Sequence, residues 1–159
     1  GDILKGLPGI QQNSCDAVYC SHVLEHLSYN DCKKALANTH AMLKPGGRFR
    51  CVLPDLETYV NNYLNSKKIN PSAASIDFMR SSLLGFEERP SGIKQKIISL
   101  LGNSHHLWMW DKDSLAMALL QAGFRKVRIC GFNDSEDDSF KQVEDAGRFQ
   151  EAFALEAVK

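Results

Sequence analysis

His22, Glu25 and His26 stand in the spacing His-x-x-Glu-His, within the run HVLEH. Two imidazoles four residues apart on a regular helix share one side, where they could hold zinc with the carboxylate between them as general base. A zinc hydrolase built this way needs a helix beneath the motif and a third protein ligand. The sequence offers neither. The apolar run Ala17-Val18-Tyr19-Cys20 precedes the motif directly, and Ser28 restarts the chain as a helix just after it. We therefore expect His22 and His26 to hold no metal, and zinc hydrolysis through His22-x-x-Glu25-His26 stands as the lesser reading.

The elements that carry this motif read as strand, helix, strand. Ala17 to Cys20 has the continuous apolar character of a strand buried on both faces. Cys32, Ala35, Leu36, Thr39 and Leu43 recur at helical spacing. Ser28, three residues before Asp31, can open that helix as a capping box with Asp in place of Glu. Pro45-Gly46-Gly47 stops it, and Phe49 to Leu53 supplies the second strand. Two strands joined by a crossover helix lie parallel, in a right-handed unit. Ligands in such sheets collect beyond the carboxyl ends of the strands, here Ser21-His22 and Pro54-Asp55.

An ordered set of short motifs accompanies this unit. It comprises Gly1-Asp2, Leu7-Pro8, Asn13-Ser14-Cys15-Asp16, His22-Val23-Leu24-Glu25-His26-Leu27 and Leu43-Lys44-Pro45-Gly46-Gly47, and later His106-Leu107-Trp108 and Ala122-Gly123-Phe124. The set resembles the class I S-adenosylmethionine-dependent methyltransferases, most nearly the small type 11 methyltransferase-like proteins, over nearly the whole chain. The resemblance implies an α/β, Rossmann-like methyltransferase sheet that is incomplete, with parallel strands, an antiparallel C-terminal hairpin and helices on both faces. It places 1–159 in a single domain lacking the N-terminal strands, with a helical insertion at about 56–104 on the acceptor side.

The same resemblance implies S-adenosylmethionine as cofactor, with Asp2 accepting from the adenine amino group and Ile3 packing nearby. Ser21 and His22 would face the methionine and methyl region. His22, His26, Asp55 and His106 are the acceptor-side groups able to take a proton. Trp108 and Trp110 could line an acceptor pocket, although core packing is the simpler role. The acceptor itself is not legible. The chain departs from the family in carrying no G-x-G-x-x-G or similar cluster, and Gly9-Ile10-Gln11-Gln12 lengthens the stretch before Asn13. Weak or absent cofactor binding by the isolated chain follows. So does a second reading, a non-catalytic methyltransferase-like module used for dimerisation or partner binding. An incomplete sheet would also leave Ala17–Cys20 at an open edge, with the Val18 and Tyr19 amides unprotected, so we expect a homodimer through that edge unless an N-terminal segment outside this sequence completes the sheet.

Composition bounds the rest. The chain has 159 residues, 43% hydrophobic and 24% charged, with a formal net charge of zero, as suits one soluble domain with a core. Charge balance argues against a broad nucleic-acid or anionic-membrane surface. No apolar run reaches the roughly 20 residues that span a bilayer. Five cysteines, mostly in apolar runs and without a CxxC pair, point to reduced core thiols and a cytoplasmic setting.

Beyond Asp55, Leu56, Tyr59, Val60, Tyr63 and Leu64 predict an amphipathic helix. Asn70-Pro71 should open a second, holding Ile76, Met79, Leu83 and Leu84, and Ile93, Ile97, Ile98 and Leu101 make a third apolar face. Asp111 or Asp113 caps a helix that Gly123 ends. Val127, Ile129 and Gly131 alternate as a strand, Asn133 to Asp145 reads as a mobile acidic loop, and Phe149 to Ala157 alternate as a final strand.

Overall fold

In a computed structural model, which describes residues 2–88 and 105–159, the sheet is built from the unit expected. Strand β1 spans Cys15–Ser21, helix α1 Tyr29–Met42 and strand β2 Leu43–Pro54. Ser28 caps α1: its hydroxyl accepts from the Asp31 amide and donates to the Asp31 carboxylate at 2.6 Å. The second strand starts at Leu43 rather than Phe49, so Pro45-Gly46-Gly47 lie within β2 instead of stopping α1. Gly47 is buried there, and a Cβ would lie 2.9 Å from the Lys44 carbonyl oxygen and 3.0 Å from that of Asp16. Only glycine fits that approach.

Helices α2 (Leu56–Ile69), α3 (Ala74–Ser81) and α4 (Lys112–Gln121) follow, then strand β3 (Arg125–Cys130), the short α5 (Asp138–Lys141) and strand β4 (Ala152–Val158). The four-stranded sheet has the order β1-β2-β4-β3. Strands β1 and β2 are parallel, whereas β4 runs antiparallel to both β2 and β3. The C-terminal pair is thus antiparallel as expected, with β4 inside the sheet and β3 at its edge.

Side-chain alternation divides β2 and β4 between two faces. Phe49, Cys51, Leu53, Phe153, Leu155 and Ala157 meet α1 and α4 in the main core, with Leu36, Leu115, Leu119 and Phe124. Asp111 and Ser114 form the capping box of α4, so of the two candidate aspartates Asp111 is the cap. Gly123 closes that helix at φ +101°. Val52, Ala154 and Cys130 point to the opposite face, with Tyr19 and Phe149 packed on them. Phe140 of α5 is buried near Tyr19, so this face is covered by a short helix and turns. All five cysteines are free thiols, three of them buried.

Several local expectations are corrected. The Asn133–Asp145 segment is not a loose loop, because it closes over a buried guanidinium. Arg50, in the middle of β2, donates to Glu144, to the Asp134 carbonyl at 2.9 Å and to the Gly131 carbonyl at 2.6 Å. Glu156 of β4, also buried, accepts from Arg50 at 3.3 Å, Arg48 at 3.1 Å, Arg128 at 3.3 Å and the Ser135 hydroxyl at 2.6 Å. A buried cation needs such a shell, and the acidic segment supplies it.

The final strand begins at Ala152, since Phe149 ends a 3-10 turn and Glu151 has φ +50°. Ile129 is exposed on the edge strand. Helix α3 starts at Ala74, after a turn in which the Asn70 carbonyl accepts from the Ala73 and Ala74 amides. Ile76, Met79 and Leu83 are exposed, and α2 buries no residue fully. The two helices pack on each other, with Tyr63 and Phe78 rings 5.7 Å apart. The expected third apolar face, Ile93 to Leu101, lies outside the described residues. No helix among those described is long and apolar enough to cross a membrane.

Candidate functional site at the strand ends

The chain leaves β1 abruptly. His22 adopts φ +52°, in the left-handed region, while its amide donates to the Val52 carbonyl at 2.9 Å. That bend costs a non-glycine residue on the order of 1 kcal/mol or more and swings the chain out over the end of β2. The Ser21 hydroxyl lies 3.1 Å from His22 Nδ1. Burial, then the neighbouring Arg148 and His26 charges, depress the His22 pKa, which favours the neutral imidazole.

Leu24–His26 then form a single 3-10 turn. A helix under the His-x-x-Glu-His motif is therefore absent, and His22 and His26 are not set on one helical face. Instead the Glu25 carbonyl accepts from the amides of Leu107 (2.8 Å) and Trp108 (3.1 Å). These bonds draw the 105–110 segment against the turn. His106 consequently stacks edge-on to His26, with ring centroids 5.0 Å apart. Ligand atoms of Glu25, His26 and His106 all lie within 4.8 Å of one another, a set that could hold a metal ion. The third ligand missing from the sequence reading is present, but with Glu25 in place of His22.

Glu25 is 1% exposed, and neither carboxylate oxygen has a hydrogen-bond partner among the described residues. Burial pushes its carboxyl up to about 7. The sign follows: the stabilisation from a neutral, buried Glu25 is full below about 4.3 and is lost as the pH rises through about 7. In chelator-treated protein, urea midpoints from pH 4.5 to 8 should fall by the equivalent of about 3 kcal/mol from this group. Glu25→Gln should remove that component. His22 and His106, both depressed by burial, push the opposite way below about 6.5, so the difference between wild type and variant is the reading. An unchanged pH slope in Glu25→Gln would show that the carboxyl titrates normally.

The remaining candidates disperse. Both Asp55 oxygens are engaged as the cap of α2, accepting from the Glu57 amide at 3.2 Å and the Thr58 hydroxyl at 3.0 Å. Asp55 therefore holds the start of α2. Asp2 is exposed in a tight turn, with Oδ1 accepting from the Leu4 amide at 3.0 Å and Lys5 beside Oδ2. Ile3 packs on the main core, and its carbonyl accepts from Asn38 at 2.6 Å. Trp110 is core, whereas Trp108 is half-exposed against Tyr29 at 4.9 Å. Sequence reasoning gave Glu25 only a zinc-base role. Its place beside two histidines depended on backbone bonds to a segment far along the chain.

Of the residues implied for S-adenosylmethionine, Asp2 lies in an exposed turn and Ile3 against the core, while Ser21 and His22 stand at the end of β1. A Gly-rich turn that would let backbone amides approach the amino-acid end does not occur in the sequence.

A family model described as a methyltransferase domain matches residues 8–129. No curated protein sequence matches the chain significantly. Among solved structures the chain is similar to a SAM-dependent methyltransferase from Archaeoglobus fulgidus, with 17% identity and a TM-score of 0.53, covering 100% of this chain and 66% of that one. A SAM-dependent methyltransferase from Thermotoga maritima shows 12% identity and a TM-score of 0.53, covering 98% and 61%. At such identities the likeness is one of fold, and this chain spans just under two thirds of those structures.

Proposed function

The chain belongs to the class I methyltransferase-domain family, and from that premise we propose that it serves methyl transfer from S-adenosylmethionine to an acceptor whose identity is open. The observation that carries this reading is the left-handed bend at His22. It sets a hydroxyl and a depressed-pKa imidazole side by side at the carboxyl end of a parallel strand, where α/β sheets bind their ligands.

S-adenosylmethionine supplies an already activated methyl group, so the protein's share is alignment, exclusion of water and removal of a proton from the acceptor. Ser21 and His22 border the reacting region in this reading, and neutral His22 is the first candidate to accept the proton. His26 and His106, with ring centroids 5.0 Å apart, are the further imidazole candidates. Asp2 and Ile3 support the adenine end.

A second reading has its own support. It is a non-catalytic methyltransferase-like module used for dimerisation or partner binding, and it is supported by the side of β1 that has no partner strand among the described residues. Calorimetric titration with S-adenosylmethionine separates the two. The isolated chain should bind weakly, with a dissociation constant well above micromolar, because only part of the cofactor finds partners. A submicromolar constant would overturn that expectation and favour an enzyme competent as it stands. No heat at millimolar cofactor would favour the module.

A further inference from the structure

We propose that Glu25, His26 and His106 form a binding site for one zinc ion. The inference rests on side chains of this chain alone and does not depend on methyl transfer. The chemistry of the set is that of zinc: two imidazole nitrogens and one carboxylate, leaving a fourth tetrahedral position for water.

Each ligand is prepared in a way that a plain polar cluster would not require. His26 Nδ1 lies 3.0 Å from the His105 carbonyl oxygen. A carbonyl can only accept, so Nδ1 carries the proton and Nε2 presents its lone pair inward, 3.8 Å from Glu25 Oε1. This is the outer-shell bond that fixes the tautomer of metal-bound histidines. His106 is 8% exposed, and its Nδ1 has no partner among the described residues. Both Glu25 oxygens are likewise buried and without partners among those residues. Orphaned buried donors and acceptors are rare, and here three such atoms belong to two residues of one cluster whose ligand atoms lie within 4.8 Å of one another.

Zinc–ligand bonds of about 2.0–2.1 Å place tetrahedral ligand atoms roughly 3.3 Å apart. The 4.8 Å spread therefore needs closure of the order of an ångström, within reach of rotamer adjustment in one 3-10 turn. His26, 13% exposed at its side chain, gives the ion a way in. The ion would tie the turn after β1 to the 105–110 segment beside the two existing backbone bonds from Glu25.

The test uses the full 159-residue chain and zinc alone. After chelator treatment and buffer exchange, titration against a chromogenic zinc indicator should show one ion per chain, with a dissociation constant below micromolar. Cobalt in its place should give the intense visible bands of a tetrahedral site. Glu25→Gln and His106→Gln should each weaken binding roughly 100-fold or more, and His26→Gln likewise. His105→Ala removes only a neighbouring ring and should bind as wild type. Circular dichroism identifies any variant that fails to fold, and the wild-type stoichiometry and cobalt spectrum stand without the variants. Failure to bind zinc at 100 micromolar overturns the site. So does wild-type affinity in folded Glu25→Gln and His106→Gln, or loss of binding in folded His105→Ala.

Discussion

Glu156→Ala should destabilise the protein by about 3–5 kcal/mol, the cost of removing one partner from a buried ion pair. That is a large part of the 5–15 kcal/mol a domain of this kind possesses, and it should lower the melting temperature by on the order of 10 °C. Glu156 is 1% exposed and accepts from Arg48, Arg50, Arg128 and Ser135. Its loss leaves Arg50, itself fully buried, leaning on Glu144 and two carbonyls. Water cannot reach the guanidinium to compensate. The control is Glu136→Ala, which breaks the 2.6 Å pair with Arg48 at an exposed position. A surface pair contributes at most about 1 kcal/mol, so this variant should stay close to wild type in urea denaturation. Equal effects from the two variants would show that the cluster is solvated.

The contrast marks where the sequence could be read and where it could not. Helix α1 ends at Met42 and Pro45-Gly46-Gly47 lie inside β2 rather than at a helix stop, but features fixed by neighbours in the chain were legible: the Ser28 cap with Asp31, and Gly123 ending α4. Each depends on groups within three or four residues, so type and spacing suffice. Arg50 stood in the apolar run Phe49 to Leu53, and a charge there was itself a signal that a partner must be buried with it. Which acidic residue answers it was not written locally, and Asn133–Asp145 therefore looked like a solvated loop. The cluster of Glu25, His26 and His106 was illegible for the same reason. His106 was a candidate by type, but only the bonds from the Glu25 carbonyl to the Leu107 and Trp108 amides bring it to the turn. Helices α2 and α3 misled differently. Their apolar periodicity is real, yet they face each other more than the sheet, so Ile76, Met79 and Leu83 remain exposed.

Taken as these 159 residues alone, the chain should pair strand β1 with β1 of a second copy, giving a dimer at micromolar concentration. Among the described residues it is the terminal strand of the sheet, bonded to β2 on one side only. The geometry decides which groups take part. The His22 amide donates to Val52 of β2, and in a parallel ladder the direction alternates with period two. Val18 and Cys20 therefore point their amides and carbonyls at β2, while those of Ala17, Tyr19 and Ser21 point outward. The expectation that Val18 and Tyr19 are equally exposed is corrected accordingly: only Tyr19 faces the open edge. An edge of this kind, on a half-buried strand, is a template for another strand. A two-fold axis satisfies both copies with one contact.

Sedimentation equilibrium should give a dimer, and hydrogen exchange should show the Ala17, Tyr19 and Ser21 amides slowing with concentration. Those of Val18 and Cys20 should be protected throughout. Ala17→Pro removes one outward amide without touching the β2 ladder, a substitution that edge strands tolerate. It should yield a folded monomer at concentrations where wild type is dimeric. A wild-type monomer at 100 micromolar, with Tyr19 exchanging freely, would show that water alone satisfies this edge.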